Sequence, residues 1–133
     1  MGDTIMILFN FINDPQELQD YWFLVDNVPS WAHWHLRNNS LWDITLDQRL
    51  HCERVIAQDA KWSYWYARQT LEDRFRLGER VIASDPFYSA MYAIRILCDR
   101  FPAGEETLRK LDTWDGNKEN PRDTYNRHFG TNI

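Results

Sequence analysis

His51 and Cys52 are the neighbouring residues of this chain best suited to catalysis, because an imidazole beside a thiol can help to form a nucleophilic thiolate. Such chemistry also needs a base held against the sulfur in three dimensions, and nothing in the spacing of the remaining residues supports that arrangement. The other cysteine, Cys98, lies far along the chain. We therefore interpret both cysteines as reduced, partly buried side chains and expect no catalytic residues.

His33 and His35 are the next candidates, since imidazole nitrogens are common metal ligands. They stand two positions apart, so on a helix they point to different faces and cannot hold one ion together. The chain also lacks a Gly-rich phosphate loop, a GxSxG elbow, an HExxH helix and a paired CxxC. The sequence predicts a non-enzymatic protein with no metal site and no cofactor, and an enzyme of unrecognised type is the alternative.

Seven tryptophans make aromatic contact the stronger chemical signal. The pattern that starts at Trp31 and Trp34 recurs 31 positions later at Trp62 and Trp65, and stacked helices would bring the two pairs side by side. Large rings in a small helical protein can simply fill the core, but Trp and Tyr are also enriched among the residues that dominate protein interfaces. We predict a partner-binding surface made of five rings and two arginines: Trp31, Trp34, Trp62, Tyr64, Trp65, Arg37 and Arg68.

Interleaved rings and arginines indicate a second class of partner. They occur at Trp65-Tyr66-Ala67-Arg68 and at Arg74-Phe75-Arg76, and single strands bind by stacking bases on rings beside basic groups. In this interpretation the same rings act together with Arg37, Arg68 and Arg76. The net charge of −5 and the pI near 5.3 weaken attraction to phosphates. Single-stranded nucleic-acid or RNA binding is therefore the alternative to binding a protein.

The composition fits one domain with a modest core, since the chain has 133 residues and 44% of them are hydrophobic. Two cysteines cannot form a disulfide-rich secreted framework. The apolar run over residues 5–9 is too short to span a bilayer, and it lacks the basic start and cleavage site of a signal peptide. We expect a soluble protein of the cytoplasm with no membrane partner.

An internal repeat must position the candidate residues. Residues 53–78 and 79–104 align without a gap and agree at 14 of 26 positions, and a period of this length is typical of helical arrays. We predict an all-α fold, a compact stack of about three short helical hairpins in a single domain. Its segments are an N-terminal lead-in and helix (1–28), a diverged repeat with an insertion (29–52), two full repeats (53–78 and 79–104), and a partial repeat with a tail (105–133).

Capping residues predict the helix boundaries. Asp14-Pro15 begins a helix that runs to Leu24 or Val25, after an apolar strand or extended segment over 1–13. Each full repeat then has a short helix, beginning near Glu53 or Glu79, and a longer helix. Asp59 and Asp85 are expected to cap the longer helices. Gly78 and Gly104 are expected to permit the turns between helices, and Pro102 is expected to begin the next short helix.

Residues that stay the same in both copies indicate what the fold requires. Ser63, Ala67 and Leu71 form one stripe on the longer helix, and the small side chains at two of these positions would let neighbouring helices approach closely. The repeated charges are expected to serve the fold through helix dipoles and loop bonding, with a functional Asp/Arg/Glu site as the alternative. These charges are Glu53, Glu79, Glu105, Asp73, Asp99, Arg74 and Arg100.

The chain becomes polar after Leu111, which predicts a loop or a partly ordered tail. Terminal repeats in helical arrays need a cap, and Trp114, Tyr125 and Phe129 are the rings expected to hold this tail over the last repeat. An uncapped repeat end would instead favour a homodimer.

The repeated motifs carry a resemblance to a known group of proteins. From Tyr66 to Glu79 the chain reads YARxxLxDRFxxGE, and from Tyr92 to Glu105 it reads YAxxxLxDRFPAGE. In these motifs it resembles short α-helical repeat proteins encoded by large tailed bacteriophages, over about residues 53–108, or 29–108 when the diverged copy is included. The resemblance implies a small phage protein that acts in the host cytoplasm by binding and modulating or inhibiting a host protein, including a defence factor, or a phage protein. It transfers no functional residues.

Overall fold

A computed structural model describes residues 15–39, 43–116 and 118–133. This part of the chain consists of helices and loops, so the all-α prediction is confirmed. The predicted lead-in over 1–13 and the cap at Asp14 lie outside the described residues. The described residues form eight α-helices, in this order: α1 (Pro15–Asn27), α2 (Pro29–Asn38), α3 (Leu46–Ile56), α4 (Ala60–Tyr66, continued by a π-helical turn, Ala67–Leu71), α5 (Glu79–Ile82, after a 3₁₀ turn, Arg76–Gly78), α6 (Pro86–Tyr92, continued by a π-helical turn, Ala93–Leu97), α7 (Pro102–Arg109) and α8 (Pro121–Phe129).

Side-chain caps begin the long helices where the sequence predicted. Asp59 caps α4 and Asp85 caps α6, each by accepting a hydrogen bond of 2.9 Å from a backbone N–H three residues further on. The short helix of the first copy begins earlier than predicted, at Leu46. The reason is a reciprocal capping box between Thr45 and Gln48, which starts the helix before the repeat itself begins.

The long helices end in a way that differs from the prediction. Each passes through its π-helical turn and stops at a non-glycine residue with left-handed backbone, Glu72 or Cys98, both with a φ of 52°. Gly78 has a φ of −93°, so the turn does not require its conformational freedom. A Cβ built on Gly78 would lie 2.6 Å from the Phe75 ring and 2.7 Å from Ser63. The glycine therefore permits the close approach between helices that the small-residue stripe predicted.

One glutamate, one arginine and one tyrosine join the helices of each repeat, and we refer to them as the Glu–Arg–Tyr cluster. In the second full repeat, Glu79 accepts two hydrogen bonds from Arg74, at 2.8 and 2.9 Å, and one of 2.6 Å from the Tyr92 hydroxyl. The same hydroxyl accepts a hydrogen bond of 2.9 Å from the backbone N–H of Phe75. The repeated charges thus bond directly to one another and tie two consecutive repeats together.

The C-terminal tail contains a helix that the sequence analysis did not predict, α8. Tyr125 on this helix is fully buried, and its hydroxyl donates to Glu105 and accepts a hydrogen bond of 2.9 Å from the N–H of Phe101. It therefore takes the place that Tyr92 has one repeat earlier, so that the last cluster is completed by a helix from the tail. Two further rings pack at this end of the stack, Trp114 and Phe129.

The N-terminal end is a three-helix unit in which α1, α2 and α3 contact one another. α1 ends at Asn27, slightly beyond the predicted Leu24 or Val25. The predicted diverged repeat over 29–52 contains α2 and most of α3, and positions 40–42 of its predicted insertion lie outside the described residues. This unit joins the repeats through α2, which packs against α4, and through α3, which is also the short helix of the first copy.

Candidate functional site

Two tryptophans on α2 are the most exposed rings of the predicted partner-binding surface. Trp31 is 39% exposed and Trp34 is 41% exposed, and their ring centroids lie 6.0 Å apart. Both rings meet the ring of Tyr21 edge-on, at 6.2 and 6.1 Å. Tyr21 is buried, so it supports the pair from the side of the core. We refer to Trp31 and Trp34 as the aromatic patch.

The other predicted rings lie deeper in the molecule. Tyr64 is 3% exposed and has almost no surface to offer a partner. Trp62 and Trp65 are partly buried and pack against the core. The physical reason is position in the stack, because α4 lies between α2 and α6. In the described part of the chain, the two tryptophan pairs make their ring contacts with different neighbours, so they do not form the single strip that the sequence analysis expected.

The two predicted arginines are both exposed. Arg68 donates a hydrogen bond of 3.3 Å to the hydroxyl of Tyr64, on the helix that carries the deeper rings. Arg37 follows Trp34 by three positions, and residues at this spacing share a face of a helix. Arg37 therefore supplies a positive charge at one edge of the aromatic patch.

The two histidines of α2 face different neighbours, as predicted. His33 contacts rings of α4, whereas His35 contacts rings of α1. Burial, together with a smaller effect of the positive charge of Arg37, lowers the pKa of His33 to about 4. The His33 ring is neutral at pH 7 and acts as a packing group between the N-terminal unit and the repeats.

A cleft of about 400 Å³ opens between α1, α2 and α3, and the sequence analysis did not anticipate it. We refer to it as the α1–α3 cleft. His51 Nε2 lies 3.3 Å from Asp26 Oδ1 at this site. The cleft is lined by Trp22, Asp26, His35, Asp47, Gln48, His51 and Cys52. No sequence motif marks the site, because its residues come from three helices.

Cys52 lies in this cleft, but its surroundings suppress thiol chemistry. Burial raises the pKa of the thiol to about 12, and the negative charges of Asp26 and Glu53 act in the same direction. Because the thiolate is the nucleophile, this environment keeps the sulfur protonated and unreactive. Cys98 is instead exposed, which corrects the expectation that both cysteines are partly buried. Cys98 itself has the left-handed backbone conformation that ends the second long helix, and the chain turns there at the surface.

The part of the chain that the structure describes gives no support to a metal site or to a membrane-spanning helix. No three His, Cys, Asp or Glu side chains there are grouped so that they could hold a metal ion. None of the helices within residues 15–39, 43–116 and 118–133 is long and apolar enough to cross a membrane. No protein-family model matches the sequence, and comparisons with curated proteins and with solved structures find no match.

Proposed function

We propose that this chain is a non-enzymatic protein-interaction module whose contact surface is the aromatic patch. The observation that carries the proposal is the exposure of Trp31 and Trp34, in a molecule that buries or partly buries the corresponding rings of α4. Exposed clusters of large apolar side chains mark interaction sites more often than they serve stability. Trp is also one of the residues most enriched among binding hot spots.

The charges around the patch indicate the chemistry of the partner. α1 carries three carboxylates, Glu17, Asp20 and Asp26, whereas Arg37 lies at the edge of the patch on α2. All three carboxylates are exposed on α1, and Glu17 lies one helical turn before Tyr21, against which the patch rests. Complementary charge gives specificity and speeds association. The partner segment is therefore one that presents a large apolar side chain, with Lys or Arg on the side that faces α1 and a carboxylate on the side that faces Arg37.

The resemblance to phage-encoded repeat proteins supports a partner inside an infected bacterium. In that setting a small protein acts by occupying the surface of a larger one, and it modulates or inhibits a host protein, a defence factor among them, or a phage protein. The phage origin and the cytoplasmic location belong to this proposal. So does the assignment of the chain as a binding protein without enzymatic activity.

Affinity capture with matched variants tests the proposal. Tagged protein is incubated with bacterial lysate, and the bound proteins are identified and quantified by mass spectrometry. The test variant is Trp31→Ala/Trp34→Ala. The control is Leu46→Ala/Leu77→Ala, which removes two large exposed side chains outside the patch, 67% and 51% exposed. We expect one stoichiometric partner that the wild type and the control retain and that the patch variant loses, with unchanged helical circular dichroism.

Three outcomes contradict the proposal in different ways. Equal capture by the patch variant would remove the patch from the interface. Capture that disappears after nuclease treatment would favour the single-stranded nucleic-acid alternative, acting through the rings with Arg37, Arg68 and Arg76. Capture of only a second copy of the chain would make the patch a homodimer interface.

A further inference from the structure

Three of the stacked helices contain lysine and arginine but no carboxylate. α2, α4 and α6, the last two with their π-helical turns, contain no Asp or Glu, although the whole chain has a net charge of −5. Their cations are all exposed, and they are Arg37, Lys61, Arg68 and Arg95. In the part of the chain that the structure describes, the arginines that form ion pairs lie on other elements: Arg49, Arg74, Arg100, Arg109 and Arg127. The cations of the three helices therefore have no carboxylate partner among the described residues.

The three helices direct corresponding positions away from the core. Each has two buried residues four positions apart, which are Ala32 and Leu36, Ser63 and Ala67, and Ser89 and Ala93. The residue midway between such a pair points to the opposite side, because two positions turn a helix by about 200°. These midway residues are Trp34, Trp65 and Met91. Each cation lies three or four positions from one of them, so it shares their side of the helix.

The outward side chains of the three helices belong to one surface, because α2 packs against α4 and α4 packs against α6. We refer to this surface as the long-helix face, made of Trp34, Trp65 and Met91 with Arg37, Lys61, Arg68 and Arg95. Trp34 is 41% exposed, whereas Trp65 and Met91 are partly buried. The face therefore offers one prominent ring, at its α2 end, and positive charge along the rest of its length.

The fold does not require the charges of this face, because they are not repeated. The position of Arg68 holds Ile94 in the second copy, and the position of Arg95 holds Gln69 in the first. By contrast, the arginines of the Glu–Arg–Tyr clusters, Arg74 and Arg100, occupy the same position in both copies. Charges that vary between copies and have no internal partner are suited to a contact outside the chain.

A second cleft lies at the far end of the face, between α6 and α8. It has a volume of about 430 Å³ and is lined by Met91, Ile94, Arg95, Thr124, Arg127 and His128. Arg127 is paired with Glu119, which leaves Arg95 as the arginine of this cleft without a carboxylate. A glutamate from a partner would place its stem against Met91 and Ile94 and its carboxylate near Arg95.

The spacing of the helices indicates the shape of the partner. Packed helices lie about 8–10 Å apart, so the cations of neighbouring helices follow one another at a similar distance. Carboxylates seven positions apart on one α-helix are separated by about 10.5 Å and share a side of it. A helix laid across α2, α4 and α6 can therefore present one carboxylate to each in turn. Apolar residues three or four positions from each carboxylate then meet Trp34, Trp65 and Met91.

We propose that the long-helix face binds an acidic amphipathic helix of a partner protein, which runs from the aromatic patch across α4 to the cleft between α6 and α8. This inference rests on the proposed function and deepens it, because it gives the chemistry of the partner beyond Arg37. The carboxylates of the helix pair with Arg37, Arg68 and Arg95 and fix its register. Its apolar side chains contact Trp34, which supplies the hot spot.

Fluorescence anisotropy with synthetic peptides tests the face on the full chain. The probe is a labelled helical peptide of about 21 residues, with Glu at every seventh position and Leu three and four positions after each Glu. A comparison peptide carries Gln in place of Glu. We expect the acidic peptide to bind about tenfold more tightly than the neutral one, since several exposed ion pairs add to this amount. The difference should shrink at about 1 M salt, which screens charges beyond roughly 3 Å.

A pair of double variants separates the face from the net charge of the chain. Arg68→Gln/Arg95→Gln removes two cations of the face, and Arg54→Gln/Arg80→Gln removes two exposed arginines from corresponding positions of the short helices α3 and α5. We expect the first to weaken binding of the acidic peptide about fivefold to tenfold and the second to leave it unchanged. Both variants should keep the helical circular dichroism of the wild type.

The aromatic-patch variant, Trp31→Ala/Trp34→Ala, distinguishes the failure of this proposal from the failure of the proposed function. Binding that this variant loses and Arg68→Gln/Arg95→Gln retains would keep the patch as a contact and remove the long-helix face. Binding that only the arginine variant loses would support the face and contradict the patch. The proposal is also overturned if the acidic peptide binds no better than the neutral one, or if neither binds. An oligothymidylate of equal charge that binds more tightly than the peptide would assign the face to single-stranded nucleic acid.

Discussion

The repeats and the N-terminal three-helix unit use their polar and aromatic side chains in opposite ways. In the repeats, Glu79 and Tyr92 bond to each other and to neighbouring groups, so the cluster is satisfied within the fold. In the N-terminal unit, Trp31 and Trp34 are exposed, and α1, α2 and α3 leave a cleft between them. Residues kept in every repeat therefore serve the packing of the stack. Recognition is better sought where the repeat pattern breaks down.

The largest effect on stability is expected when a Glu–Arg–Tyr cluster is broken. Glu105 is buried and accepts a hydrogen bond from the buried Tyr125 hydroxyl. Glu105→Gln should lower the free energy of unfolding by about 1.5–3 kcal/mol, because this hydroxyl loses a charged acceptor. Denaturant unfolding measures the change. Glu106→Gln is the control on the next residue, an exposed side chain whose ion pairs should contribute less than about 1 kcal/mol. Equal losses in the two variants would contradict a special role for the cluster.

The same cluster predicts a sensitivity to acid. Hydrogen bonds from Arg100 lower the pKa of the Glu105 carboxyl below its usual range. A carboxyl with a lowered folded pKa stabilises the fold above its unfolded pKa, about 4.3, and this contribution is lost as the pH falls through the folded value. Below about pH 4 the wild type should therefore lose stability more steeply than Glu105→Gln. Parallel pH profiles would show that Glu105 is not responsible.

A slightly smaller loss is expected from filling the space beside Gly78. Gly78→Ala places a methyl group within 3 Å of Phe75 and Ser63, so the hairpins must move apart, at a cost of about 1–3 kcal/mol. Thermal unfolding should show a Tm lower by several degrees. Gly130→Asn is the control, since a side chain at Gly130 meets open space and Asn tolerates its φ of 66°. An unchanged Tm for Gly78→Ala would mean that the close contact is not required.

A moderate effect of pH on stability is expected from His33, which packs between the N-terminal unit and the repeats. Burial lowers the pKa of His33 to about 4, whereas the unfolded side chain titrates near 6.5. As the pH falls from about 6.5 towards 4, the unfolded chain binds a proton that the folded chain does not, so stability falls. His33→Phe should flatten the dependence of Tm on pH between 7 and 5, and His128→Gln, an exposed histidine of α8, should not. Equal profiles for all three proteins would contradict the buried, neutral His33.

The smallest loss of stability is expected at the aromatic patch itself. Trp34→Ala removes a ring that is 41% exposed, and its cost should stay below about 1 kcal/mol. Trp62→Ala removes a ring that is partly buried against the core, so it should cost about 1–2 kcal/mol. Denaturant unfolding of the two variants compares the regions directly. A larger loss from Trp34→Ala would show that the patch serves the fold.

Local sequence signals predicted the helices of the repeats well, because the same short-range interactions form in every copy. Asp59 and Asp85 could be identified as caps, since each bonds only to the next turn of its own helix. The helix α8 was missed although Asn120 and Pro121 are a cap and a first-turn proline, because the polar residues before them suggested a tail. The role of Gly78 in close packing was also missed, because Ser63, which it contacts, is distant in the sequence.

The candidate site was predictable only in part. The repeated sequence pattern identified Trp31 and Trp34 as candidate contact residues. It identified Trp62, Trp65 and Tyr64 as contact residues equally, although these three are covered. Which rings are covered depends on which helices flank α4, and that is a property of the whole stack. The α1–α3 cleft had no sequence signal, because its residues come from three helices and follow no common spacing.

Site-specific photo-cross-linking in bacterial cells tests most directly whether recognition lies in the N-terminal unit. A photoreactive phenylalanine replaces Trp34 in the patch or, in a second protein, the exposed Leu77 between the repeats. We expect a discrete cross-linked partner from position 34 and none from position 77. A partner that cross-links from position 77 and not from position 34 would place the contact on the repeats and contradict the account.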